Sequence, residues 1–356
     1  MDNKNTYKAV GLMSGTSLDG LDLVLSEFVR SRNVWDFKIL KGKTVEYSGK
    51  MIEDLSRAQR LSAYDFVELH RRYGQYMGQE VAKFVSDEIG IDFVASHGHT
   101  VFHEPGKNVT FQIGCGAQIA AGSGLNVVSD FRTLDIAFGG QGAPLVPMGD
   151  RLLFGHYGAC VNLGGFANIS YEDKDNRIAF DICPVNIVLN DLVNNGFGHA
   201  YDKGGELGAQ GKMNESMLDE LNKLNYYQVS EPKSLAREWV EEVFNPVLNK
   251  YEHINAKDKL ATCYFHFAQQ IAHVLNKNKI GSALFTGGGT FNTYLMKLIS
   301  GFAETELVIP DKQVVDFKEA LIFAFLGVLR MEEQVNCLSS VTGARQDNIG
   351  GSVFIL

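Results

Sequence analysis

The chain has 356 residues, 45% of them hydrophobic, with 42 acidic against 33 basic side chains for a formal charge of −9. That length is enough for two domains of ordinary size, each with its own core. An acidic balance with no basic stripe to offset it argues against a nucleic-acid partner, and no stretch approaches the roughly 20 unbroken apolar residues of a membrane span.

The polar start, Met1 to Thr6, leads into a strand and is expected to carry no export signal. Five unclustered cysteines (Cys115, Cys160, Cys183, Cys263 and Cys337) read as reduced thiols of a cytoplasmic protein. Strands are expected over 7–13, 21–28 and 34–43, then an amphipathic helix over 62–89 with apolar residues at three- and four-residue steps. Strands at 91–96 and 110–113, a helix at 116–121 and a strand at 125–129 follow. The order then resembles itself: strands at 160–163, 167–171 and 177–180, and a helix at 185–195. Helical patterns cover 213–224, 234–249 and 257–279. The strand 283–286 ends in three glycines before a helix from 291. Val308 marks the last core strand, and 318–334 is a long apolar helix.

Two halves that each open with three strands around a glycine turn suggest a duplicated α/β unit with a cleft between the copies. The hinge is expected near Asp130. One domain would comprise residues 1–130 with 335–356, and the other residues 131–334.

Between the first two strands lies Ser14-Gly15-Thr16-Ser17, followed by Asp19-Gly20. Small polar turns of this kind offer N–H groups and hydroxyls to an anion, and the glycines permit close approach. Asp19 and Asp22 would be awkward beside a bare phosphate but suit one carrying a divalent cation or water; an ordinary Ser/Gly hairpin turn is the alternative. Gly164-Gly165 occupies the same place in the second half, and Gly287-Gly288-Gly289 ends a strand before a helix. Together the three turns suggest a nucleotide cleft, although no Walker A or GxGxxG sequence is present. Asp181, at the end of the third strand, suits a general base; alternatively it caps the helix that follows. The cluster Ser96-His97-Gly98-His99 lacks partners for zinc and suits hydrogen bonding to a polar substrate. Arg132 could grip a carboxylate bidentately or pair internally with Asp130 or Asp135. Glu319 opens an apolar helix, while Asp202 and Lys233-Ser234 are further candidate polar groups.

Read together, Gly11-Leu12-Met13-Ser14-Gly15-Thr16-Ser17-Leu18-Asp19-Gly20-Leu21-Asp22, Ser96 to His103, Phe111-Gln112-Ile113-Gly114 and Asp130-Phe131-Arg132 resemble the anhydro-N-acetylmuramic acid kinases. The likeness continues through Gly139 to Pro147, Asn162 to Ile169, Phe180-Asp181, Pro232-Lys233-Ser234, Gly287-Gly288-Gly289, Asn292 and Glu319-Ala320. The resemblance implies a duplicated actin/hexokinase-like, ribonuclease H-like fold with an inter-domain cleft. It also implies an ATP- and Mg²⁺-dependent kinase of peptidoglycan recycling, acting as a homodimer. Asp181 would be its general base. ATP contacts would come from Ser14, Gly15, Thr16, Ser17, Asp19, Gly20, Gly164, Gly165, Gly287, Gly288, Gly289 and Asn292. His97, Arg132 and Glu319 would contact the sugar, and Asp19 and Asp22 the metal.

The chain departs from the family where Asp-Thr-Gly-Pro-Gly-Asn usually stands, reading Asp181-Ile182-Cys183-Pro184-Val185-Asn186 instead. If the family's glycines there approach substrate or phosphate closely, Cys183 and Val185 would crowd the site by several atoms. Cys115 replaces a common acid, and His99 a common glutamine. A related amino-sugar kinase without ring opening and a non-catalytic nucleotide or sugar sensor are the alternatives.

Overall fold

The computed structural model describes residues 4–15, 17–32 and 34–356. The chain divides into two compact units, Met1–Leu153 with Phe317–Leu356, and Phe154–Asp316. Both boundaries differ from those expected near 130 and 335. The segment after Asp130 stays with the first unit because its polar groups find partners there: Asp135 bonds to Cys337, Thr342 and Asn348, and Lys318 pairs with buried Asp150 at 2.8 Å.

In the first unit β1 (Thr6–Ser14), β2 (Gly20–Ser31) and β3 (Val34–Glu46) form an antiparallel meander. α1 (Ala63–Phe84) starts where Ser62 accepts the Asp65 N–H and buries Leu69, Tyr73, Met77, Val81 and Phe84 along one stripe. It stops short of the expected residue 89. β4 (Phe93–Glu104) runs past the expected residue 96 because its second half pairs with β5 (Val109–Ile113). α2 (Gly116–Ser123), β6 (Val127–Ser129), α3 (Thr133–Ala137) and α4 (Val146–Leu153) complete this segment.

The second unit repeats the plan. β7 (Ala159–Leu163), β8 (Phe166–Asp173) and β9 (Asn176–Pro184) form a meander, followed by α5 (Asn186–Phe197). The pattern at 234–249 resolves into short pieces around a π-helical turn at Val240–Phe244. α6 (Ala256–Lys277), β10 (Ser282–Thr286), α7 (Thr293–Phe302) and β11 (Glu306–Val308) follow. The chain re-enters the first unit along α8 (Lys312–Met331) and ends with β12 (Ser352–Phe354). β12, outside the strands expected from the sequence, pairs with β6.

The sheets have matching orders, β12-β6-β4-β1-β2-β3 with β5 on β4, and β11-β10-β7-β8-β9. In each, a meander is extended by two parallel strands beside its first member: β4 and β6 in one, β10 and β11 in the other. This is the duplicated ribonuclease H-like topology of the actin/hexokinase-like fold.

α8 is buried all round from Ala320 to Phe325, with the Phe325 ring tilted against Phe28 and edge-on to Trp35. It passes so close to β1 that a Cβ built on Gly11 would stand 1.9 Å from the Ala320 carbonyl oxygen. Backbone cannot yield as a side chain can. Gly11→Ala is therefore expected to cost about 3 kcal/mol, measured as a loss of melting temperature; an unchanged melting temperature would refute this packing.

Candidate active site

The β1–β2 turn belongs to the first unit, and Thr16 lies outside the described residues. Ser14 does not point its hydroxyl outward. Its Oγ is buried, accepts the Tyr47 hydroxyl at 2.7 Å and lies 3.1 Å from His99 Nδ1. Tyr47 is in turn 2.7 Å from the Tyr73 hydroxyl. Since Tyr47 donates to Ser14, Ser14 can donate onward to His99. Burial holds the His99 imidazole below its usual pKa, which suits it to accept. His99 thus serves as an internal brace. Gly15 is half-buried, and Ser17 and Asp19 are exposed. Gly20 answers a packing need, because a Cβ there would meet the Val45 carbonyl at 2.7 Å. Asp22 accepts the Thr44 hydroxyl at 2.6 Å. Among the described residues no group of three or more His, Cys, Asp or Glu could hold a metal ion.

Residues two apart on a regular strand share a face, yet His97 and His99 meet different neighbours. Gly98, at φ 76°, breaks the alternation. His97 packs against Phe323 of α8, and His99 approaches Tyr73 of α1. His97 Nε2 accepts from Arg132 Nε at 3.1 Å and Nη2 at 2.8 Å, while its Nδ1 lies 2.9 Å from the Gly98 carbonyl. This assigns the proton to Nδ1. Burial foremost, and the Arg132 charge next, keep the ring neutral.

Arg132 also donates to the Gly142 carbonyl at 2.6 Å. Burial pulls its guanidinium down to about 10, with Glu319 opposing, so it stays cationic at neutral pH. Neither Asp130 nor Asp135 supplies the hydrogen bonds that the ion-pair alternative required. Asp130 accepts from Thr133. Asp135, fully buried, accepts from Cys337, Thr342 and Asn348 on Oδ1 and from the Gly142 N–H on Oδ2. Gly142 therefore links Arg132 to Asp135. Glu319 remains exposed to solvent on α8, yet the surrounding protein raises its carboxyl pKa, with Arg132 and Lys318 opposing. The structure thus joins Arg132 to His97 by hydrogen bonds and to Glu319 by charge. Cys115, before α2, lines a cavity of about 240 Å³ together with His97, Ser96, Gln112 and Asp130.

In the second unit the Gly164-Gly165 turn is tied to the start of α5. The Gly165 carbonyl accepts from the Val185 and Ile187 N–H groups, and the Gly164 carbonyl from that of Asn186. The third glycine run packs onto the same place. A Cβ on Gly287 would meet Asn162 Oδ1 at 2.6 Å and one on Gly289 would meet Leu163, whereas Gly288 has nothing within 4 Å. The structure thus brings Gly164, Gly165 and residues 287–289 together, with Gly165 and Gly288 exposed. Asn292 is used differently: its Oδ1 caps α7 through the Leu295 N–H and its Nδ2 donates to the Tyr264 hydroxyl. Asp202 likewise accepts from Leu207, Gly208 and Tyr264 as an internal brace.

Asp181 lies within β9, three residues before its end, and does not cap α5, whose N-cap residue is Val185. Its Oδ2 accepts the Leu235 N–H at 2.8 Å. Burial raises its pKa, and the Leu235 bond opposes the rise. The crowding expected from Cys183 and Val185 does not arise. Both are fully buried in the core of this unit, as is Ile182, among Val188, Leu189 and Phe267.

Asp135 stood in the sequence only as a possible partner of Arg132, and Tyr47 and Tyr226 had no assigned place. Each contacts a site residue only through the fold, and none carries a local motif.

A family model described as Anhydro-N-acetylmuramic acid kinase matches residues 7–355. The anhydro-N-acetylmuramic acid kinase of Clostridioides difficile is 34% identical, with 97% of both chains covered. That of Francisella tularensis subsp. novicida is 35% identical, with 98% of both covered. Among the described residues no helix is long and apolar enough to cross a membrane. A family match over residues 7–355, with relatives 34 and 35% identical over nearly their whole length, establishes that this chain belongs to the anhydro-N-acetylmuramic acid kinase family.

Proposed function

We propose that the protein converts 1,6-anhydro-N-acetylmuramic acid, ATP and water into N-acetylmuramic acid 6-phosphate and ADP, as a cytoplasmic step of peptidoglycan recycling carried out by a homodimer. The observation that carries this reading is Asp181: a carboxylate of raised pKa with one oxygen held by a backbone N–H. Asp181 takes a proton from the water whose oxygen attacks the anomeric carbon. The bond from that carbon to the bridging 6-oxygen breaks, the 6-oxygen attacks the γ-phosphorus, and ADP leaves. Such transfers depend chiefly on positioning and charge neutralisation.

Arg132 keeps N–H groups beyond those given to His97 and Gly142, and with His97 and Glu319 is assigned to the sugar. Gly15, Ser17, Gly164, Gly165 and Gly288 are assigned to ATP through backbone and hydroxyl groups. Thr16 is assigned there by resemblance. Ser14, Gly20 and Asn292 support these segments from within. Asp19 and Asp22 suit Mg²⁺ carried by a nucleotide, which needs only one or two carboxylates; the ion would neutralise phosphate charge.

The test is incubation with ATP, Mg²⁺ and the anhydro sugar, following both products. Equal amounts of ADP and sugar 6-phosphate are expected, with no phosphorylation of N-acetylmuramic acid itself. Phosphorylation of the open sugar would favour an ordinary amino-sugar kinase; nucleotide binding without turnover would favour a sensor.

A further inference from the structure

The segment from Tyr226 to Leu235 meets Asp181 at three points. The Leu235 N–H donates to Asp181 Oδ2 at 2.8 Å, the Asp181 N–H donates to the Lys233 carbonyl at 3.1 Å, and the Tyr226 hydroxyl donates to the Asp181 carbonyl at 2.5 Å. The segment is itself fastened. Lys233 Nζ donates to the carbonyls of Tyr226 and Val229 at 3.0 and 3.1 Å and stands 4.6 Å from the Tyr226 ring centroid. Glu231 pairs with Lys277 of α6 at 3.2 Å. Lys233, a candidate site polar group in the sequence, therefore spends its donors on the segment's own backbone.

We propose that this segment is a positioning collar for the general base, and that the Leu235 amide selects which carboxylate oxygen works. The proposal rests on Asp181 being that base. With Oδ2 occupied, Oδ1 makes no hydrogen bond among the described residues and is left to receive the proton from water. The amide has a second effect. It favours the ionised carboxylate where burial disfavours it. Tyr226 and Cys183, the titratable groups nearest this carboxylate, have pKa values raised by burial first and by the Asp181 charge second. Both stay neutral while Asp181 titrates, and the Glu231 carboxyl, against burial, is held down by hydrogen bonds to its own backbone and to Lys277, in the direction opposite to Asp181. The acidic limb of kcat then reports Asp181.

Leu235→Pro removes the N–H, whereas Leu235→Ala keeps it. The proline variant is expected to lose roughly 10- to 100-fold in kcat with an unchanged KM for ATP, and to shift the acidic limb to higher pH. The alanine variant is expected to match the parent in both. A proline variant with the parental limb and kcat would overturn the collar. If it does not fold, Tyr226→Phe, which drops only the bond to the Asp181 carbonyl, is expected to lower kcat at constant KM; parental kcat would overturn the proposal. If the parent itself forms no product, the kinase reading falls. The collar is then decided by NMR titration of the Asp181 carboxyl, which Leu235→Pro must still move upward.

Discussion

Asp181→Asn is expected to lower formation of sugar 6-phosphate by about 10³-fold, within the range a positioned general base contributes, while the protein stays folded. Asparagine retains an oxygen for the Leu235 N–H, so the geometry at Oδ2 survives and only the base is lost. The same substitution is expected to stabilise the fold at high pH. Burial raises the Asp181 pKa above its unfolded value, so the fold binds this proton more tightly than the unfolded chain does. That contribution favours the folded state at low pH and is lost as pH rises through the folded pKa. Melting temperatures compared at pH 4 and pH 8 should therefore show the variant gaining on the parent only at the higher pH. A variant that retains a tenth or more of parental turnover would remove Asp181 as the base.

Asp135→Ala is expected to cost about 3–5 kcal/mol, because it strands four donors inside the first unit. The Cys337 thiol, the Thr342 hydroxyl, the Asn348 amide and the Gly142 N–H all converge on this one carboxylate. A unit of this size loses roughly 2–4 °C of melting temperature per kcal/mol, so calorimetry resolves the effect readily. The milder Asp135→Asn separates stability from function. Its oxygen can serve Oδ1's three donors, but its NH₂ then opposes the Gly142 N–H. Gly142 shifts, and with it the carbonyl that holds Arg132. A raised KM for the sugar with little loss of stability is the expected signature. A parental KM in a folded Asp135→Asn variant would show that Gly142 and Arg132 are not coupled in this way.

Much of this site was legible because its signals are local. Strand periodicity and glycine turns located the segments at 14–20, 164–165 and 287–289, and Asp181 stood out as an acid at a strand end. The orientation of side chains was not legible. Ser14 read as a donor to a ligand, yet its hydroxyl is held by Tyr47 and by His99, which lies 85 residues away. Asn292 read as a nucleotide contact, yet its amide caps one helix and bonds to a tyrosine on another. Cys183 and Val185 read as obstacles beside the base, yet both point into the core. In each case the residue type suits two environments, and only the packed structure shows which internal partners it meets.

The sequence by itself determined the duplicated order of strands and helices, because hydrophobic periods of about two and 3.6 residues are properties of short windows. It also determined the family, because the motifs recur in order along nearly the whole chain. Only the tertiary structure decided that Arg132 rests on His97, that Asp135 ties residue 142 to residues 337–348, and that Leu235 holds Asp181. Those pairings span 35, 213 and 54 residues. A buried donor is satisfied by whichever acceptor packing brings within about 3 Å, and that choice is made only once the sheets and helices have closed around it.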